Sequence, residues 1–177
     1  TVTYRGGETS IDGGTGTDTL VLAAAGAPTA ANFSVSAGSD PTVGDSVSAV
    51  NFESLDASLV GSALTVTGSS AANTITTGSG ADTIDGGGGA DAIVAGGGND
   101  TVTYRGAETS IDGGTGTNTL VMNAAATVNL ANGDQTAGDA TTVSNFQNVN
   151  ASGLGTALSI SGSSADNIIT GGSGNDT

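Results

Sequence analysis

The chain has 177 residues, of which 17 are Asp or Glu and two are Arg; it contains no Lys, His or Cys, and its formal net charge is −15. With no basic patch to meet phosphates, neither nucleic acid nor an anionic membrane surface is an expected partner, and without Cys there is no disulfide or thiol chemistry. No run is long and apolar enough to insert in a membrane or to read as a signal peptide.

The first element, TVTYRGGETSIDGGTGTDTL from Thr1, returns almost unchanged as TVTYRGAETSIDGGTGTNTL from Thr101. NFESLDAS at Asn51 returns as NFQNVNAS at Asn145, and SSAANTITTGSGADT at Ser69 as SSADNIITGGSGNDT at Ser163. The first match is offset by 100 residues and the later ones by 94, so the second copy is six residues shorter in between. The expected organisation is one continuous solenoid, with repeat unit 1 over 1–100 and a truncated unit 2 over 101–177. Copies of this kind stack, and they serve length, surface or spacing more often than a catalytic pocket.

The spacer of unit 1 runs from about Val21 to Ala63, and that of unit 2 from Val121 to Ala157. Both are expected to continue the solenoid with wider, less regular coils, using short strands such as Ser46 to Phe52 and Thr141 to Phe146. Phe52 and Phe146 read as matching buried plugs, and Asn51 and Asn145 as backbone-satisfying stacks.

From Gly68 a nine-residue period takes over: GSSAANTIT, TGSGADTID, GGGGADAIV, AGGGNDTVT, YRGAETSID and GGTGTNTLV. The eighth place holds Ile75, Ile84, Ile93, Val102, Ile111 and Leu120; the sixth holds Asn73, Asp82, Asp91, Asp100, Thr109 and Asn118. The Gly-rich half cannot pack as helix or ordinary strand and reads as a tight turn with positive φ. The other half is a short strand with one inward side chain. Turn and strand alternate, so two segments make one coil of an all-β parallel solenoid with a thin aliphatic core. Asp12, Asp85 and Asp112, just before the next Gly pair, read as turn starters.

GGTGTDTLV at Gly13 and GGGGADAIV at Gly86 resemble the RTX nonapeptide GGxGxDxUx, and AGGGNDTVT and TGSGADTID fit with one change each. The resemblance covers 13–21, 68–121 and 162–177, and YRGAETSID keeps the phase without the Asp and most of the Gly. It implies a right-handed parallel β-roll with Gly-rich calcium-binding turns. Each turn would offer backbone carbonyls and one carboxylate, half a site for a cation that takes six to eight hard oxygens. The turn 18 residues on would supply the other half. Asp82 and Asp100 are therefore expected to flank one ion, with Asp100/Asn118 and Asn73/Asp91 as weaker pairs and Asp91/Thr109 as a poor one. Asp18 and Asp176 are further candidates, and Gly78, Gly80, Gly87, Gly89, Gly96, Gly98, Gly114 and Gly116 shape the turns. In the degenerate turns Arg5 with Glu8, and Arg105 with Glu108, read as local ion pairs, either replacing an absent calcium or simply exposed.

No catalytic constellation is visible, so an enzyme is not expected. The expected role is a calcium-stabilised structural or adhesive segment of a large bacterial RTX surface protein, such as a surface layer, fibre or giant adhesin. It would be extracellular or on the cell surface, with neighbouring repeats or self-association capping open sheet edges. The alternative is the calcium-dependent secretion and folding domain of a secreted enzyme or toxin. Both ends read as cuts through a longer array. Ice binding is disfavoured because the outward strand positions, such as Thr83/Asp85 and Ala92/Val94, form no uniform Thr array.

Overall fold

A computed structural model of the chain describes residues 1–5, 8, 10–23, 30–32, 42–43 and 48–177. Its ordered elements are strands of two to four residues, with no helix among the described residues. Such short strands follow from the nine-residue period, which leaves room for three or four extended residues between Gly-rich turns. Two sheets carry the fold. One has seven strands in the order Val2–Tyr4, Thr19–Leu22, Ser54–Asp56, Thr74–Thr76, Ala92–Val94, Ser110–Asp112 and Thr142–Ser144. Every pairing in it is parallel.

The second sheet has eight strands, and from Ser54 to Met122 its strands alternate with those of the first along the chain. Thr65–Thr67, Thr83–Asp85, Thr101–Tyr104, Thr119–Met122, Asn148–Asn150 and Ile169–Thr170 follow one another in parallel. Within the nonapeptide block each strand pairs with the one 18 residues away: Ile75 faces Ile93, which faces Ile111, and Val66 faces Ile84, which faces Val102. Ile75, Ile84, Ile93, Val102, Ile111 and Leu120 are all fully buried, as the period predicts. Flanking strand residues point outward, so the core is a ladder one side chain deep on each sheet.

Copies of the long repeat land on opposite sheets. Thr19–Leu22 belongs to the seven-stranded sheet, and its equivalent Thr119–Met122 to the eight-stranded one. The same exchange separates Ser54–Asp56 from Asn148–Asn150. A hundred residues span an odd number of half-coils, so one unit is turned by half a coil relative to the next.

The spacers depart from the simple expectation. Thr142–Ser144 and Asn148–Asn150 do extend the two sheets. Ahead of them in the chain, however, Thr127–Asn129 pairs antiparallel with Thr136–Ala137, and in unit 1 Ala30–Asn32 pairs antiparallel with Thr42–Val43. The chain reverses over residues 129–135, where Asn132 N–H donates to Asn129 O (3.1 Å). Buried Gln135 then holds the fold-back: its Nε2 donates to Leu130 O (3.0 Å) and Phe146 O (2.8 Å), and its Oε1 accepts from Phe146 N (2.8 Å). Phe52 and Phe146 are buried, as expected of plugs. Asn51 and Asn145 do not stack; they adopt φ of 59° and 64°, a region Asn tolerates better than most residues. Their amides donate to Asp12 Oδ1 (2.8 Å) and Asp112 Oδ1 (2.6 Å). Most of the interior of the first spacer, and part of the Ser46 to Phe52 strand, lies outside the described residues.

Candidate metal centre

The Gly-rich turns stack at 18-residue spacing, and glycine makes the stacking possible. At Gly96 (φ +83°) and Gly98 (φ +120°) the backbone is left-handed, and a Cβ would collide with the carbonyl oxygens of Gly78 and Gly80 in the preceding turn. Gly87, Gly89, Gly114 and Gly116 have the same sign of φ. Gly78 and Gly80 depart from the expected positive φ. There the need is space alone, since a Cβ would strike Val60 O and Ser62 O. Bare backbone packed this closely brings successive rows of carbonyls together.

The sixth-place side chains run up the stack as a ladder. Leu64 N donates to Asp82 Oδ1 (2.8 Å), Asp82 N to Asp100 Oδ1 (2.8 Å), Asp100 N to Asn118 Oδ1 (2.9 Å) and Asn118 N to Gln147 Oε1 (2.7 Å). On the other turn stack Asn73 N donates to Asp91 Oδ1 (2.8 Å). One oxygen of each carboxylate is thus spent on a backbone amide of the coil before. The other is not: Oδ2 of Asp82, Asp91 and Asp100 is buried and has no hydrogen-bond partner. The Thr77 hydroxyl beside Asp82 is committed to Ala95 O (2.9 Å).

A buried, half-satisfied carboxylate is costly, and the ionisation behaviour shows it. Burial pushes Asp91 up to about 6, with the charges of Glu108 and Asp85 adding to the shift. Burial likewise pushes Asp100 up to about 6, with Asp82 adding to it, and Asp82 itself is raised for the same main reason. These three orphan oxygens, set among turn carbonyls, fit a hard divalent cation such as Ca²⁺, which takes oxygen ligands only. Among the described residues no three acidic side chains converge, so carbonyls would supply most of the ligands.

The asparagines behave differently. Asn73 Oδ1 accepts from Ser69 N (2.7 Å), and its Nδ2 donates to Glu53 O (2.6 Å) in the coil before. Asn118 Oδ1 is taken by Asp100 N, and its Nδ2 donates to Gly113 O (2.7 Å) and Asn145 O (3.0 Å). The expected Asn73/Asp91 and Asp100/Asn118 pairs are adjacent in the stack, but both amides are fully engaged with protein groups. Asn167, which the spacing argument passed over, repeats the Asn73 arrangement: Oδ1 accepts from Ser163 N (2.7 Å), and Nδ2 donates to Gln147 O (2.7 Å). Its match to Asn73 in the later repeat was the available signal. Asp18 is partly exposed, and its backbone N–H donates to Glu53 Oε2 (2.8 Å). Asp176 Oδ1 accepts from Leu158 N (3.0 Å), while a Cβ on Gly171 would meet its Oδ2 at 2.5 Å.

The degenerate turn Tyr104 to Thr109 closes without an orphan. Buried Glu108 accepts from Arg105 N (2.8 Å), Gly106 N (2.8 Å) and Ala107 N (3.1 Å). This corrects the expected Arg105–Glu108 ion pair. The guanidinium reaches Asp85 instead, with Nε to Oδ1 at 2.8 Å and a second nitrogen to Oδ2 at 2.6 Å. Arg105 holds the Asp85 carboxyl below its ordinary range. The physical reason is reach: a short loop brings a carboxylate onto its own amides, whereas Arg spans to the neighbouring coil. In the first copy Glu8 likewise accepts from Arg5 N (3.2 and 3.0 Å). Asp12, Asp85 and Asp112 start turns as expected, accepting from Gly14, Gly87 and Gly114 N at 2.8–3.0 Å.

The family model of the RTX calcium-binding nonapeptide repeat matches the chain in four copies, over residues 67–102 and 159–177. These spans contain the turns of Asn73, Asp82, Asp91, Asp100, Asn167 and Asp176, and leave out those of Asp18 and Asn118. No curated protein and no solved structure matches the chain. Over these spans the nonapeptides are RTX calcium-binding repeats on a parallel β-roll, and the ion that such repeats bind is Ca²⁺.

Proposed function

We propose that this calcium-binding RTX segment is a non-catalytic rod: a structural or adhesive repeat of a large secreted bacterial surface protein, stiffened by Ca²⁺ outside the cell. The observation that carries the reading is the eight-stranded sheet, which runs without a break from strands of the first hundred residues into strands of the second unit. A unit that joins its copy through continuous strand pairing propagates by stacking, as solenoids do. The half-coil turn between units lets a long array place equivalent surfaces on alternating sides.

Calcium is the switch in this reading. A thin core and a net charge of −15 oppose folding. Ordering each residue costs about 1–2 kcal/mol of backbone entropy, which ion binding to the folded turns helps to offset. The chain would pass an export channel unfolded and become rigid in the millimolar calcium found outside cells.

Small-angle scattering of the chain and of tandem multiples of it tests the proposal. In calcium the maximum dimension should grow in proportion to unit number. Compact particles whose size saturates would sink it. So would a full-length gene carrying this stretch once beside a catalytic domain, which would favour the secretion domain of an enzyme or toxin.

A further inference from the structure

We propose that asparagine in the sixth place of a turn is a metal-independent clamp. Its side-chain NH₂ takes the bridging place that Ca²⁺ takes in an aspartate turn. Asn73, Asn118 and Asn167 are three such clamps, and they fasten the spacer-end coils to the nonapeptide stack. The inference rests on calcium binding by the aspartate turns and adds which turns do without it.

The hydrogen-bond chemistry leaves no choice of amide orientation. A backbone N–H can only donate and a carbonyl can only accept. Ser69 N, Ser163 N and Asp100 N therefore face an amide oxygen, and Glu53 O, Gln147 O and Asn145 O face an amide nitrogen. Each amide ties its own turn to the adjoining coil, in Asn73 and Asn167 with the oxygen on the turn and the nitrogen on the coil. The comparison with aspartate is direct at Asn118, whose Nδ2 lies beside the first glycine of its turn, Gly113, where Asp91 Oδ2 lies beside Gly86. In the Asn73 and Asn167 turns Oδ1 lies beside that glycine, and Nδ2 faces the adjoining coil. In the Asn118 turn the atom beside the glycine is a donor and satisfies two carbonyls. In the aspartate turn it is a buried acceptor without a donor, and only a cation completes it.

The clamps are not scattered. All three amide nitrogens reach the same coil in the later part of a spacer, at Glu53 in unit 1 and at Asn145 and Gln147 in unit 2. That coil, NFES or NFQN, has neither Gly nor Asp, so what it offers a neighbouring turn is backbone carbonyls. In unit 2 it is clamped on both sides, by Asn118 and Asn167. In unit 1 Asn73 clamps one side, and the place of Asn118 is held by Asp18, on a turn whose Gly13 lies against Asn51 O. One join is thus given to an amide in one copy and left to a cation in the other.

The test uses the whole chain and two reciprocal variants, Asn118→Asp and Asp18→Asn. Calcium bound per chain is measured by equilibrium dialysis, and circular dichroism reports the fold. Asn118→Asp should bind one more Ca²⁺ than the parent, and Asp18→Asn one fewer, both with the parent's β spectrum in calcium. Asn118→Ala should melt at lower temperature in calcium with no change in count, which separates an amide clamp from an ion ligand. An unchanged count in Asn118→Asp overturns the proposal. So does its failure to fold at saturating calcium, because a completed aspartate turn must fold. A parent that binds no calcium would instead remove the reading underneath.

Discussion

Two neighbouring turns of the same length and phase are closed in different ways. The turn from Ala95 to Asp100 leaves Asp100 Oδ2 buried and unpartnered. The turn from Tyr104 to Thr109 spends the carboxylate of Glu108 on three of its own backbone amides and braces the neighbouring coil through Arg105 and Asp85. Both carry an acid. What differs is whether the acid finds donors within the protein. The nine-residue geometry does not itself require calcium; an orphaned carboxylate does.

The largest effect should come from removing the metal. Circular dichroism in EDTA should show the β signal of the nonapeptide block lost, and millimolar Ca²⁺ should restore it. A full β spectrum in chelator, unchanged by calcium, would erase the distinction between the two turns. Next is Asp100→Ala, which deletes the orphan oxygen and leaves the buried N–H of Asp82 without its acceptor. Calcium titration should show fewer ions per chain, and the unmet amide adds about 1–3 kcal/mol of destabilisation. An ion count equal to the parent's would take Asp100 out of the set of ligands.

Glu108→Ala should cost about 2 kcal/mol in denaturant unfolding, because several turn amides lose a charged acceptor. Its calcium count should stay at the parent's value; a lowered count would mean that this turn also holds metal. Acidification sharpens the same contrast. Asp91 and Asp100 have folded-state values near 6, above those of the unfolded chain. Raised acids penalise folding once they ionise. The penalty is absent below about pH 4, grows between 4 and 6, and is complete above 6. In calcium-free buffer, some β signal should therefore return as pH falls from 7 to 5, and a further loss on acidification would contradict the burial of these groups. The smallest effect belongs to Arg105→Ala. It removes a partly exposed, bidentate pair with Asp85 and should cost about 0.5–1 kcal/mol in thermal melts, less at high salt.

Much of this was legible along the chain. The period placed Ile75, Ile84, Ile93, Val102, Ile111 and Leu120 in the core, because inward positions in a strand–turn repeat have no other place to go. Asp82, Asp91 and Asp100 stood out as matching acids in matching turns. Glu108 did not. Its capping role depends on a loop bringing its carboxylate back to residues one to three places earlier. The hairpin in the second spacer was equally hidden, since Gln135 holds it by reaching carbonyls five and eleven residues away.

The sequence by itself determined the stacking unit, the aliphatic ladder and the spacing of the calcium turns, because each follows from a strict nine-residue period and the inability of glycine to pack. Only the tertiary structure decided which sixth-place residues keep a buried oxygen without a partner. Aspartate and asparagine differ by one donor, and whether that donor matters depends on which carbonyls the neighbouring coil brings against it. It also decided that equivalent strands of the two units lie on opposite sheets, since the side a strand takes depends on how many half-coils precede it, counted through spacers that carry no period.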